Sequence, residues 1–462
     1  MRPGWKAIIS GLMGLGLIIL AMSGQQAGGA EYAWKAGAAK VVITPAFDMW
    51  MSGYASRNKP SEGKVQDLYA KALALEDAAG RRAVILTTDL IGLPGVLSER
   101  AAKKVTEDTG IPRAALMLTS SHTHSGPVLR GNLETMYALS KEEWAKVTQY
   151  TAELEQKLVQ VIEEAVRKLE PARISRGVGT AGFAINRRQY NLEGINIGLN
   201  PIGPVDHDVP VLKVTDSQGR LKAILFGYAC HNTTLDFYQF CGDYAGYAQE
   251  YVEKENPEAV AMFYIGCGAD ANPNPRRELD HAKAHGRELG QAVVKVLSQA
   301  MQEVTGPLRT AQEVIGLPLS PPPSRGQIEE QLKDPDVYIQ RRAQSLLKQL
   351  DEQGKLPDRY PYIIQVWSFG PDFIFTALAG EVVVDYALRL KHELGQDKVW
   401  VAGYANDVFA YIPSLRVLRE GGYEANDSMI YYGLPGPWAP PVEEMIISTV
   451  HKLVKQNDEG QS

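Results

Sequence analysis

Short apolar runs alternate with longer amphipathic segments along most of this 462-residue chain. Two of the runs, Tyr69–Asp77 and Arg82–Thr88, flank a Gly-containing turn and predict a β-hairpin. A third run, Leu116–Ser120, follows a helix that is expected over about 98–108. Because strands and helices alternate without segregating, the sequence predicts an α/β fold with mixed β-sheets and flanking helices.

The clearest helix signal begins at Ser140, where Glu143 stands three positions later and completes a capping box, and Pro171 closes the helix. A Pro-rich connection is expected at 306–325, inside one domain, because the candidate site described below draws residues from both of its sides. Further helices are expected over about 244–255, 280–304, 327–353 and 441–454, and further strands over about 39–44, 209–214, 223–229, 259–265, 362–369 and 372–378, with another near Ile174.

The first thirty residues have the pattern of a signal peptide. Arg2 and Lys6 precede an uncharged apolar run over 7–21, and small residues lead to a plausible cleavage site before Glu31. The run is shorter than the ~20 residues that a bilayer span needs, although an uncleaved anchor is the alternative. We therefore expect a secreted or periplasmic protein whose mature part, 31–462, is one catalytic domain with no later membrane span.

Charge and cysteine content exclude some classes of partner. The formal net charge of −6 argues against nucleic-acid binding, which depends on clustered Lys and Arg. Cys230, Cys241 and Cys267 are the only cysteines, so at least one is unpaired within the chain. A Cys230–Cys241 disulfide is possible, but three small buried thiols are the expected arrangement.

Three potential metal ligands follow three apolar strands. His122 and His124 come after Leu116–Ser120 at positions i and i+2, a spacing that would put both imidazoles on one face if the strand continued. His231 follows the strand near 223–229, and Glu381 follows the strand near 372–378. Each residue alone has an ordinary structural explanation, as a core histidine or a helix N-terminal charge. Together they predict a site for a hard or borderline divalent metal ion, with one position left open for water.

A Gly-rich loop follows the strand near 259–265 and offers further polar groups. Asp270 provides an acceptor and Asn272 provides an amide within the segment GCGADANPNP. The structural alternative is a plain Asn-Pro turn.

These segments, in this order, resemble the catalytic domain of the neutral/alkaline non-lysosomal ceramidases. The most specific match is SSHTHSGP around His122, and the opening segment AGAAKVVITPAFDMWMSGYA is also similar. HNTTL at His231, GDYAGYA from Gly242, AGE at Glu381 and NDVFAY ending at Tyr411 resemble further motifs of the family. Ile185-Asn186-Arg187, Tyr423-Glu424 and Tyr432-Gly433 match shorter pieces.

The resemblance implies one catalytic Zn²⁺ and a set of residues around it. Its ligands would be His122, His231, Glu381 and Tyr411, of which the residue pattern alone did not indicate Tyr411. His124 would support the transition state, and Arg187 would contact an acyl oxygen or a product carboxylate.

One departure from the family pattern concerns the nucleophile. Ceramidases carry Asp-Val-Ser-Pro where this chain has Asp270-Ala271-Asn272-Pro273. An amide cannot form the ester of an acyl-enzyme, but Asn272 can hydrogen-bond a substrate amide or an oxyanion. We therefore expect an exported zinc hydrolase that cleaves an N-acyl amide, ceramide-like or other, with water activated at the metal. The alternatives are an esterase that uses the same site and an inactive extracytoplasmic binding protein.

Overall fold

The computed structural model describes residues 33–460, so the expected signal peptide lies outside the described residues. The strands are β1 (Trp34–Val42), β2 (Tyr69–Asp77), β3 (Arg82–Thr88), β4 (Leu116–Ser120), β5 (Glu170–Thr180), β6 (Ala184–Asn191), β7 (Gly194–Asn200), β8 (Asp208–Asp216), β9 (Leu221–Tyr228), β10 (Val260–Ile265), β11 (Ala271–Pro273), β12 (Gln302–Val304), β13 (Leu308–Pro318), β14 (Arg359–Phe369), β15 (Ile374–Leu378), β16 (Glu381–Val382), β17 (Val399–Ala402) and β18 (Tyr411–Ile412). The helices are α1 (Gly95–Thr109), α2 (Lys141–Arg167), α3 (Asp243–Glu255), α4 (Leu279–Leu297), α5 (Arg325–Gln331), α6 (Val337–Gln353), α7 (Val384–Leu394), α8 (Leu415–Glu420), α9 (Met429–Tyr432) and α10 (Val442–Glu459).

The main sheet has the strand order β10-β9-β8-β5-β1-β2-β3-β4, with β12 added beside β5. Its pairs are antiparallel except for β9–β10 and β3–β4, which are parallel, so the sheet is mixed as expected. Strand β10 also lies against β1 to β4, which shows that the sheet folds over on itself. The ends of β4 and β9, which are far apart in strand order, therefore approach each other in space.

A second sheet, of order β13-β14-β15-β17, is covered by helices α7 and α10. An isolated bridge between Thr119 of β4 and Ala405 links the edge of the main sheet to the segment that follows β17. Beyond β15, the two-residue strands β16 and β18 pair in parallel and place Glu381 opposite Tyr411. The β16–β18 pair, which follows strands of the second sheet in the chain, thus places Glu381 and Tyr411 near the edge where β4 ends.

Several predicted elements have the bounds that the sequence indicated. The hairpin is formed by β2 and β3, and β4 covers Leu116–Ser120. Helix α2 carries the complete capping box, in which the Ser140 side chain accepts from the Glu143 backbone and the Glu143 side chain accepts from the Ser140 backbone. These elements combine local signals with a buried apolar face, so sequence and tertiary structure agree.

Other predictions were wrong in their bounds. The helix expected over 280–304 ends at Leu297, and its last residues form β12. The helix expected over 327–353 is two helices, because Pro335 cannot continue a helix and Asp336 caps the second one through the Tyr338 backbone N–H. The Pro-rich connection contains β13, which pairs with β14 along its whole length. The first strand begins at Trp34 and ends at Val42, earlier than predicted.

Residues 33–460 belong to one compact unit, and no helix among them is long and apolar enough to cross a bilayer. Cys230, Cys241 and Cys267 are buried and unpaired, which confirms the expected buried thiols. Burial raises the pKa of each thiol, so the three behave as small apolar side chains.

Candidate metal centre

The four candidate ligands converge at the edge where strands of both sheets end. His122 lies just beyond β4, and His231 lies just beyond β9. Glu381 begins β16, and its register with β18 places Tyr411 directly beside it. The segments after two strands of the folded main sheet supply the two histidines, and the separate β16–β18 pair supplies the carboxylate and the phenol.

Three donor atoms form an almost equilateral triangle. The Nε2 atoms of His122 and His231 are 3.2 Å apart. Oε2 of Glu381 lies 3.2 Å from the first nitrogen and 3.1 Å from the second. Ligands held ~2.0–2.1 Å from a tetrahedral zinc are separated by about 3.3–3.4 Å. The triangle therefore has the size of one face of a zinc coordination tetrahedron.

Hydrogen bonds on the far side of each imidazole fix its tautomer. Nδ1 of His122 donates to the Ile91 carbonyl at 2.5 Å, and Nδ1 of His231 donates to the Gly268 carbonyl at 3.0 Å. Both Nε2 atoms therefore carry lone pairs, and they face Oε2 of Glu381, for which no described residue provides a hydrogen-bond donor. Three buried acceptors that face one another are costly unless a cation lies between them, so the group fits a divalent metal ion.

His122 reaches this position through an unusual backbone conformation. Its φ angle is +58°, in the left-handed region, so the chain turns sharply after β4. The prediction that His122 and His124 share a face of an extended strand was wrong, because β4 ends at Ser120. The turn still brings the Nε2 atoms of the two histidines to within 3.1 Å of each other. Strain of this kind is characteristic of functional sites.

The three histidines form a group that could itself hold a metal ion, with candidate ligand atoms of His122, His124 and His231 within 4.8 Å of one another. His124 is oriented differently from the other two, because its Nδ1 is buried with no hydrogen-bond partner among residues 33–460. Its ring packs against that of Tyr54, with ring centroids 4.8 Å apart. His124 therefore lies on the side of the centre that leads toward the half-buried Tyr54.

Burial keeps the imidazoles of His231 and His124 neutral and therefore able to bind a metal. Burial, assisted by the nearby Arg187 charge, lowers the pKa of His231 to about 3. Burial likewise lowers the pKa of His124 well below its usual range. The centre thus places neutral nitrogen donors beside the Glu381 carboxylate.

Tyr411 links the candidate ligands to Arg187. Its phenol oxygen is 3.1 Å from Nε2 of His231 and accepts a hydrogen bond of 3.1 Å from Nη2 of Arg187. Burial and the Glu381 carboxylate raise the pKa of the phenol, whereas the Arg187 charge opposes them. The structure therefore brings Arg187, which is carried by β6, against Tyr411, one of the four candidate ligands.

Glu424 fixes the Arg187 guanidinium, a role that sequence reasoning missed. Oε1 of Glu424 accepts from Nε of Arg187 at 2.7 Å, and Oε2 accepts from Nη1 of Arg188 at 2.6 Å. Glu424 lies in a single π-helical turn, Tyr423–Asp427. The motif Tyr423-Glu424 was part of the family resemblance, but nothing in the residue pattern assigned it a partner 236 positions away.

Asn272 faces the site through its amide. Its Oδ1 accepts from Nη1 of Arg187 at 3.3 Å and from the Thr233 hydroxyl at 3.3 Å. Because both of these groups are donors, the oxygen assignment is fixed by the network and the NH₂ group remains available as a donor.

Asp270 has a different environment from Asn272. Its carboxylate accepts from the Val384 backbone N–H at 2.9 Å and from Nδ2 of Asn186 at 3.2 Å, and its carbonyl accepts from the Arg187 N–H at 2.7 Å. Burial raises the pKa of this carboxyl to about 7. Asp270 therefore ties together the segments that carry Arg187 and Glu381, and its carboxylate makes these hydrogen bonds rather than facing the candidate ligands.

The sequence of this chain is similar to that of known proteins. A family model described as the N-terminal part of neutral/alkaline non-lysosomal ceramidase matches residues 34–309, which include His122, Arg187 and His231. A curated neutral ceramidase from Pseudomonas aeruginosa is 26% identical over 347 residues, which cover 68% of this chain and 49% of that protein. The chain thus spans about half the length of this curated relative.

Solved structures extend the likeness of fold beyond the matched segment. The crystal structure of neutral ceramidase from Pseudomonas aeruginosa has a TM-score of 0.70 at 19% identity, covering 92% of this chain and 74% of that one. A ceramidase described as complexed with C2 has a TM-score of 0.69 at 18% identity, with coverage of 92% and 76%. The segments that carry Glu381 and Tyr411 follow the matched region in the chain. Because the family model covers more than half of the sequence, this chain belongs to the neutral/alkaline non-lysosomal ceramidase family.

Proposed function

We propose that the protein is an exported zinc-dependent hydrolase that cleaves the carbon–nitrogen bond of an N-acyl amide. The observation that carries the proposal is the group of three facing acceptors, two Nε2 atoms and Oε2 of Glu381, at 3.1–3.2 Å from one another. Membership of the ceramidase family supports the choice of an amide as the scissile bond.

His122, His231, Glu381 and Tyr411 would hold the metal. Two imidazoles, a carboxylate and a phenol are nitrogen and oxygen donors of the kind that zinc accepts. When bound, zinc supplies a Lewis acid that polarises an acyl oxygen and lowers the pKa of water. Ile91 and Gly268 orient the two imidazoles through their carbonyl groups, and such outer hydrogen bonds strengthen metal binding.

Arg187 and Asn272 are positioned to stabilise charge on the acyl oxygen. The guanidinium is fixed by Glu424, and the Asn272 amide is fixed by Arg187 and Thr233. Donors that are already oriented stabilise a developing oxyanion without reorganisation. His124 is neutral, and its Nε2 faces the candidate ligands, so it can take the proton of the attacking water and deliver it to the leaving amine.

Asn272 stands where ceramidases carry Ser, so the acyl group is transferred to water without an ester on the protein. A ceramide-like lipid is the substrate that the family favours, and other N-acyl amides are compatible with the same donors. An ester is the second candidate, because the same groups would stabilise its tetrahedral intermediate. A third candidate, a binding protein that does not turn over substrate, rests on the same exchange of Ser for Asn.

Turnover of matched N-acyl amides and esters by zinc-loaded protein tests the proposal. We expect release of free amine from at least one N-acyl amide, abolished in Glu381→Gln. Metal binding with neither amide nor ester cleavage across the panel would favour the binding protein and contradict the hydrolase.

A further inference from the structure

Arginine side chains surround Tyr54 on the side of the centre where His124 lies. The Arg57 guanidinium lies 4.9 Å from the Tyr54 ring centroid, and that of Arg277 lies 5.6 Å from it. Arg276 lies beside the Tyr54 hydroxyl. Tyr54 is in turn one ring contact of 4.8 Å from His124, and His124 is one ring contact of 4.8 Å from His122. The rings of Tyr54 and His124 therefore lie between these arginines and the candidate ligand His122.

The positive charge of this group is only partly balanced. Arg277 forms an ion pair of 2.7 Å with Asp236. Arg57 donates to the carbonyl oxygens of Ser52 and Phe237, and it has no carboxylate within ion-pair distance among residues 33–460. Backbone carbonyls satisfy its N–H groups but leave its net charge in place.

Like Arg57, Arg276 has no carboxylate partner among residues 33–460. The Nε atoms of both Arg57 and Arg276 are buried and lack a hydrogen-bond acceptor there. The other nearby carboxylate, Asp243, accepts from the backbone N–H groups of Leu235 and Tyr244. Burying a charge without a partner is costly, so this region is suited to an anion brought by a ligand.

The loop that carries Arg276 is continuous with the site. Asn272 of β11 lies four positions earlier, and Arg277 adopts a left-handed φ of +87° directly after Arg276. Burial lowers the pKa of Arg276, and the nearby positive charges of Arg277 and Arg187 lower it further. Positive charge thus extends from the proposed acyl-oxygen contact toward Tyr54.

We propose that Arg276 and Arg57 form an anion subsite that binds a carboxylate or phosphate on the amine portion of the substrate. Arg276 contacts the anion, and Arg57 adds positive charge to the subsite. The inference rests on the proposed amide hydrolysis and narrows its substrate class. The preferred substrates are then N-acyl amides with an anionic group a few bonds beyond the scissile bond, such as N-acyl amino acids or phosphate esters of N-acyl amino alcohols. A half-buried guanidinium whose Nε–H has no acceptor among residues 33–460 can recognise both anions through charge-assisted hydrogen bonds.

The test uses three compounds with the same twelve-carbon acyl chain. N-lauroylethanolamine is neutral, N-lauroylglycine carries a carboxylate, and N-lauroyl-O-phosphoethanolamine carries a phosphate. The Kd of each for the zinc-loaded protein is measured by calorimetry, and kcat and KM are measured from amine release. We expect one or both anions to bind about 10–100-fold more tightly than the neutral compound, as a charge-assisted hydrogen bond allows. The anionic compound that binds more tightly shows whether the subsite prefers a carboxylate or a phosphate.

Variants locate the effect on Arg276. In Arg276→Gln, binding of the preferred anion should weaken by about 10-fold or more while the neutral compound changes less than about twofold. Arg276→Lys should retain part of the preference, and high salt should weaken anion binding by the wild type. The matched control is Arg277→Gln, which removes the same charge from a side chain already paired with Asp236 and should have a smaller effect. An equal loss in both variants would overturn the assignment to Arg276.

The outcomes separate the two proposals. Equal affinity for all three compounds, unchanged in Arg276→Gln, would overturn the anion subsite even if amides are cleaved. Tight binding of an anionic compound that depends on Arg276, without cleavage of any amide, would support the subsite and overturn the hydrolase.

Discussion

The Tyr432 phenol donates a hydrogen bond to Oε1 of Glu381 and leaves Oε2 facing the imidazoles of His122 and His231. The two oxygens of this carboxylate therefore have different environments. Oε1 is hydrogen-bonded to the protein, and Oε2 is directed at the candidate metal position. Tyr432 is the last residue of the half-buried helix α9, and the preceding residue, Tyr431, packs on Tyr338. The orientation of the Glu381 carboxylate thus depends on a segment that is distant in sequence.

Removing this hydrogen bond should weaken metal binding. We expect Tyr432→Phe to lower zinc affinity by about 10–100-fold, the usual effect of losing an outer hydrogen bond to a ligand. Competition with a chelator of known affinity measures it. Tyr431→Phe is the matched control, because that ring packs against Tyr338 and Tyr423 and the change should leave zinc affinity unchanged. Equal losses in both variants would contradict the role of Tyr432.

Metal content should distinguish two possible sets of ligands. One set is His122, His231, Glu381 and Tyr411, and the other is the three histidines His122, His124 and His231. Purified protein is expected to carry about one zinc per chain, and His122→Ala or His231→Ala should lower zinc content and turnover together. If Glu381 and Tyr411 complete the set, His124→Ala keeps its zinc and loses turnover, whereas Glu381→Gln loses zinc. Metal analysis of the four variants decides, and full retention in both His122→Ala and His231→Ala would refute the ligand assignment.

Asn272 should contribute to turnover and not to metal binding. Losing one donor to a developing oxyanion costs about 10²–10³ in turnover, so Asn272→Ala should lower kcat by that factor at normal zinc content. Mass spectrometry of quenched reactions should detect no acyl adduct on the protein. An adduct on Ser, Thr or Cys that forms and decays at the rate of turnover would overturn direct attack by water.

Asp407 should make stability depend on pH in a defined window. Its carboxylate accepts from the Gly95 N–H and the Tyr360 hydroxyl, and burial raises its pKa to about 6. Because the folded state then binds the proton more tightly than the unfolded chain, this group's contribution is present below about pH 4 and is lost as pH rises to about 6. The loss is about 3 kcal/mol by linkage.

The matching experiment compares wild type with Asp407→Asn by denaturant unfolding between pH 4 and pH 8. The stability of the wild type relative to the variant should fall as pH rises to about 6 and then stay constant. A pH-independent difference would contradict the raised pKa. Taking the difference at each pH removes contributions that both proteins share, including loss of metal in acid.

Export predicts a mature N-terminus near Glu31. N-terminal sequencing of natively produced protein from the extracytoplasmic fraction measures it. An intact Met1 on cytosolic protein would refute the prediction.

Local signals were enough to predict the elements but not the contacts between them. The hairpin of β2 and β3 and the strand ends that carry His122, His231 and Glu381 could be read from apolar runs and turn residues. Tyr411 could not, because its place beside Glu381 depends on parallel pairing of two-residue strands. Only the family resemblance indicated it.

The elements that sequence analysis missed depend on distant partners. Strands β6 and β7 contain Asn and Gly that suggest a loop, yet they form the hairpin that carries Arg187. Strand β13 lies in a segment with several prolines and is stabilised by pairing with β14. Both cases show tertiary pairing overriding local preference.

The parallel pair of Glu381 and Tyr411 also sets an order of assembly. A nascent chain that has reached residue 309 contains His122 and His231 but neither oxygen donor, so it offers an incoming ion only half of the proposed ligands. Closing the set requires contacts between positions that are far apart along the chain, and such contacts form late in folding. Tight metal uptake would then indicate that the C-terminal third of the chain has folded against the rest, and a chain truncated before Glu381 would keep only two of the four proposed ligands.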